Sequence, residues 1–127
     1  MRSVLTAVIV ITALSVTVCL AAGRVLTDFA DACDGHRERA LELARSGDRD
    51  GAEEELAAIR ALMKEKAVWN EALTSHDALH EVSVALRDAE ACLKTGDTDD
   101  FERAIGQMRE CLEHIRDEEE LRLSNLL

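Results

Sequence analysis

Residues 44–63 read ARSGDRDGAEEELAAIRALM, and residues 93–112 read LKTGDTDDFERAIGQMRECL. Each passage holds the end of one helix, a glycine to stop it, a short polar turn and an amphipathic restart. Shifted by 49 positions, Ser46-Gly47-Asp48 falls on Thr95-Gly96-Asp97, Asp50 on Asp99 and Glu53 on Glu102. The apolar positions follow, with Leu56 on Ile105, Ile59 on Met108, Cys33 on Val82, Ala40 on Ala89 and Ala44 on Leu93. The pattern predicts two αα-hairpins of similar design. Duplication of one hairpin and convergence of two both account for it.

Composition agrees with an all-α fold. The 127 residues include no proline or tyrosine and only two phenylalanines. The abundant Ala, Leu, Glu and Arg are good helix formers, whereas strands draw on aromatic and β-branched residues. Expected helices run over about 25–45, 50–73, 76–94 and 98–121, with Gly35 weakening the first. Thr74 and Asp77 form a capping-box pattern between the second and third, although one long helix through that point is equally compatible. The expected core is Leu56, Ile59, Leu62, Met63, Trp69 and Leu73, then Phe101, Ile105, Met108, Leu112 and Ile115.

Ahead of the hairpins lies SVLTAVIVITALSVTVCLAAG, residues 3–23, without a charge. As a helix it is about 32 Å long, which matches a bilayer's hydrocarbon core. It divides the chain into 1–24, a transmembrane anchor or signal segment, and 25–127, a helical domain. Length favours a retained anchor; Ala21-Ala22-Gly23 keeps secretion after signal cleavage as the alternative. The amino terminus and Arg2 on one side, against Arg24 followed by Asp28, Asp31 and Asp34 on the other, put the domain outside the cytoplasm by the positive-inside rule. The first helix of the domain could continue directly from the membrane segment.

From Arg24 onward there are 14 Lys/Arg against 26 Asp/Glu. Such a surface repels nucleic acid and anionic lipid and favours cations or basic partners. Asp117-Glu118-Glu119-Glu120 reads as solvated surface, lacking the glycine-kinked loop of an EF-hand. Of the four cysteines, Cys19 sits in the apolar segment. Cys33, Cys92 and Cys111 are an odd number in the domain and read as buried free thiols.

The stretch TSHDALHE, residues 74–81, places His76 and His80 one helical turn apart. This pair is the candidate metal site, since two imidazoles at that spacing share a helix face as zinc ligands do. His114 is the third ligand suggested by height along the hairpin. Helical projection at about 100° per residue, with Leu86 and Met108 marking the core, sends His80 and His114 to opposite flanks. Asp77 points outward and has a shorter arm than the glutamate that zinc proteases use. No G-x-S-x-G, glycine-rich phosphate loop or Cys-x-x-Cys is present, so no enzyme and no cofactor are expected.

Trp69, His76 with Asp77 and Glu81, and the tail EHIRDEEELRLSNLL occur in an order that resembles an uncharacterised bacterial family, domain of unknown function 4363. His114-Ile115, Glu118, Leu121, Leu123, Ser124, Asn125 and Leu126 carry the likeness in the tail. His80-Glu81 departs from the acid-plus-isoleucine pair expected there. The resemblance implies a membrane-anchored helical domain in which Trp69, His76, Glu81, His114 and Asn125 are motif positions, and it implies no activity. The reading is therefore a cell-envelope module acting on a protein partner or on itself. The alternative is a metal-responsive module using His76 and His80.

Overall fold

The computed structural model describes residues 1–67 and 76–126. Every element among them is helical: α1 Arg2–Arg45, α2 Arg49–Glu65, α3 His76–Thr95 and α4 Thr98–Leu126. The expected all-α hairpin pair is present. Trp69, Leu73, Thr74 and the join between the second and third helices lie outside the described residues.

α1 is one helix from the apolar segment into the domain. It runs straight through Gly35, where weakening was expected. A glycine inside a helix costs about 1 kcal/mol relative to alanine. Here the flanking turns are held down by buried Phe29, Ala30, Cys33, Arg37 and Ala40. These residues recur every three or four positions, so they form one stripe facing the domain core. α1 packs against both α2 and α4, α3 packs chiefly on α4, and α2 meets α3 less closely.

The two turns are built alike. Gly47 has φ 87° and Gly96 φ 75°, the left-handed conformation that glycine adopts at low cost. Asp48 N donates to Leu43 O at 2.8 Å, and Asp97 N donates to Cys92 O at 3.1 Å. Each bond reaches back across the glycine to satisfy a terminal carbonyl, as in a Schellman motif. The same aspartates then cap the next helices: Asp48 Oδ1 accepts from Gly51 N at 2.9 Å and Asp97 Oδ1 from Asp100 N at 3.1 Å. Every one of these atoms is displaced by the same 49 positions that align the sequence.

The core follows the apolar positions. Leu56, Ile59, Phe101, Ile105, Met108, Leu112 and Ile115 are buried, and Leu62 and Met63 pack on them partly exposed. The pairs Cys33/Val82, Ala40/Ala89, Ala52/Phe101, Leu56/Ile105 and Ile59/Met108 are all buried. α4 extends to Leu126, past the expected end near 121. No glycine or proline follows Gly106 to stop it, and its last turns have α1 as a neighbour.

The glycines offer a direct check. Gly47→Ala and Gly96→Ala should each cost about 1–2 kcal/mol, the penalty of a Cβ in the left-handed region. Gly106 is mid-helix with open space where a Cβ would go, so Gly106→Ala should gain about 0.5–1 kcal/mol. Urea unfolding of the three variants should therefore shift the midpoint down, down and up.

Candidate functional site

α3 and α4 leave a groove of about 340 Å³ on the outer face of their hairpin, lined by His80, Glu81, Val84, Gln107, Glu110, Cys111 and His114. Helical projection put His80 and His114 on opposite flanks; the structure brings both onto this one face. The difference lies in the reference direction. Leu86 is at the edge of the buried stripe of α3, which comprises Ala78, Val82, Ala85, Leu86, Ala89 and Leu93. The centre of that stripe is roughly 50° away from Leu86. Measured from there, His80 stands on the outward ridge of α3 instead of its far flank.

The groove is acidic and loosely organised. His114 Nε2 is paired with Glu118 Oε1 at 3.1 Å on its own helix. Burial raises the Cys111 thiol above its ordinary pKa, with Glu81 and Glu110 adding to the effect. This thiol is therefore disfavoured as a thiolate nucleophile or ligand. Among the described residues, no three His, Cys, Asp or Glu side chains gather closely enough to hold a metal ion. His76 is the first residue of α3, and Asn125 lies in the last turn of α4. Trp69 lies outside the described residues.

The remaining polar chemistry ties helices together. Within α1, Arg37, only 5 % exposed, donates from Nε to Asp34 Oδ1 at 2.7 Å. Arg116 on α4 reaches back to α1, with Nε donating to Asp31 Oδ1 at 2.9 Å and Nη2 3.5 Å from Asp34 Oδ2. Arg45 Nε donates to Glu102 Oε1 at 2.8 Å, and Arg60 Nη2 donates to Glu90 Oε1 at 2.5 Å. Arg116, Arg45 and Arg60 thereby each pair with an acid on another helix.

His36 joins α1 to α2, its Nδ1 2.5 Å from Glu55 Oε2. Arg39 Nη2 is 3.0 Å from that same nitrogen and Arg39 Nε is 3.4 Å from Glu55 Oε1. One ring nitrogen cannot serve both neighbours, and a donating Nδ1 suits the carboxylate. Burial lifts the Cys33 thiol nearby to about 12, and Asp34 adds to this. Cys33 is consequently an inert core residue, as the sequence reading has it, and all four cysteines are free.

One acid departs from expectation. Glu119 belongs to a run that reads as solvated, yet it is 4 % exposed. A Cβ placed on Gly23 would meet its Oε1 at 2.5 Å. The missing side chain at Gly23 creates the notch that admits it. Among the described residues Oε1 has no hydrogen-bond partner, and Oε2 is 3.6 Å from Arg122 Nη1.

At the other end of the bundle, Gly47, Arg49, Cys92, Gly96 and Thr98 line a cleft of about 130 Å³ between the two turns. The caps at Asp48 and Asp97 already occupy the adjoining helix N-termini.

Among the described residues, these features define a helical-bundle protein with one helix long and apolar enough to cross a membrane. Residues 21–126 match the family Domain of unknown function (DUF4363), and the chain belongs to it. No curated protein and no solved structure matches the chain.

The His36–Glu55 contact predicts a pH dependence. The His36 hydrogen bond holds the Glu55 carboxyl below its ordinary pKa; desolvation opposes this and Arg39 reinforces it. A carboxyl with a lowered folded-state pKa adds stability that is full above its unfolded pKa. That stability disappears as pH falls through the lowered value. Thermal melts across the acid range should show a shallower loss for His36→Ala than for the parent.

Proposed function

We propose that the protein is a single-pass membrane-anchored helical module, held outside the cytoplasm, that acts by engaging another protein or a second copy of itself. The observation that carries the anchor is the character of α1. Val4, Leu5, Val8, Ile9, Val10, Ile11, Leu14 and Val18 are all exposed, and the most apolar window of the helix has no buried residue. A soluble protein rarely presents so large a continuous apolar surface. Leaving it in water would be opposed by about 25 cal/mol for each Å² of apolar area.

The sidedness rests on Arg2 and the amino terminus against a single Arg24 followed by acids. The partner reading rests on the tether and on the acidic groove between α3 and α4, which suits a basic or hydrogen-bonding contact. In cell fractions, the full chain should stay with membranes after alkaline carbonate washing, and deletion of 3–23 should release it. Protease added to intact cells or spheroplasts should digest the domain. A domain digested only after lysis would reverse the orientation.

A second reading, a divalent-metal module, gains one observation: His80 and His114 border the same groove. It would use His76 and His80, with ligands completed from a second chain. Dialysed protein should then carry zinc in a fixed ratio to chain and lose it on His80→Ala. Metal-free protein with unchanged stability in the variant would remove this reading.

A further inference from the structure

α4 does not end where the apolar segment of α1 ends. Glu119 sits against Gly23, the last residue of the uncharged stretch. α4 runs antiparallel to α1 and remains helical to Leu126. Seven more residues at about 1.5 Å each carry it roughly 10 Å beyond that contact. It therefore lies beside the apolar segment itself. The surface of α1 agrees: Val16, Cys19 and Ala22 are half-buried at helical spacing, while residues 2–15 are exposed throughout.

This geometry has a consequence that rests on the membrane anchor proposed above. The interfacial layer on each side of the hydrocarbon core is about 5–7 Å thick. Residues 3–23 match that core in length, so a helix end reaching roughly 10 Å past Gly23 crosses the core boundary into the outer acyl region. We propose that the last two turns of α4, Glu120–Leu126, are embedded at the boundary between the phospholipid interface and the outer acyl chains of the leaflet from which α1 emerges. Leu121 makes the apolar contact with acyl chains. Two residues after buried Glu119, it is turned about 200° around the helix and is 64 % exposed. Leu123 is half-buried. Arg122 has a long stem that can lie along apolar surface while its guanidinium reaches the headgroup phosphates. The domain thus holds the bilayer at two places, through α1 and through the tip of α4.

The test uses the full chain in phosphatidylcholine vesicles. Tryptophan is placed at single positions in a Trp69→Phe background: Leu121→Trp, Val10→Trp within the apolar segment, and Val84→Trp on the outer face of α3. Lipids brominated close to the headgroup should remove most of the Leu121→Trp emission. Lipids brominated near the bilayer centre should remove that of Val10→Trp, and Val84→Trp should be unaffected by either. Leu121→Trp emission unchanged by bromine, with Val10→Trp quenched, overturns the embedded helix tip and leaves the anchor standing. Val10→Trp unquenched overturns the anchor, and the present inference with it. A photo-crosslinking phenylalanine analogue at position 121 of the otherwise unaltered chain gives an independent check. A phospholipid adduct by mass supports the proposal, and adducts formed only with protein or water count against it.

Discussion

The buried stripe of α1 is the constraint on which the remaining packing depends. Leu26, Phe29, Ala30, Cys33, Arg37 and Ala40 form a single seam, and both α2 and α4 close on it. Small residues at Ala30, Cys33 and Ala40 let two helices approach the same seam. Burial of apolar area there is the main source of stability, because short helices in water are marginal without such packing. Gly35 is tolerated for this reason: what keeps α1 helical at that point is tertiary and not local.

The two hairpins repeat each other closely in their turns and imperfectly in their interiors. Positions 49 apart share glycine conformation, cap and back-bond, yet buried Arg37 corresponds to buried Leu86. At that position one hairpin carries a charge and the other an alkyl group. The charge is met by Asp34, which Arg116 of the second hairpin also approaches. The departure from symmetry thus coincides with one of the places where ions bind the hairpins together, beside Arg45–Glu102 and Arg60–Glu90. Leaving such a buried charge unpaired would be costly, so the pairing constrains which helices can be neighbours.

The hairpins, their caps and the core were legible because each depends on near neighbours in sequence. Gly47, Asp48, Gly96 and Asp97 announce their conformations through steric and hydrogen-bonding rules that need no tertiary context. The groove was less legible. The rotation of α3 about its axis is set by which of Ala85, Leu86 and Ala89 sits deepest, and an error of half a residue's turn moves His80 from one face to another. Glu119 was illegible for a different reason. Nothing in a run of four acids marks which one meets a glycine almost a hundred positions away. Burial of that carboxylate follows from the antiparallel register of α4 on α1, which only the assembled bundle fixes.

The continuity of α1 also has a mechanical side. No proline interrupts it, and the residues between Gly23 and the first turn are clamped along their length by α2 and α4. The apolar segment and the domain therefore have no swivel between them. A sideways load on the turns at Gly47 and Gly96 acts at the end of a stiff beam about 33 Å beyond Gly23. In the membrane-anchored arrangement proposed above, the beam would pass that load to the lipid as a change of tilt or axial rotation, since bending it would require breaking the seam.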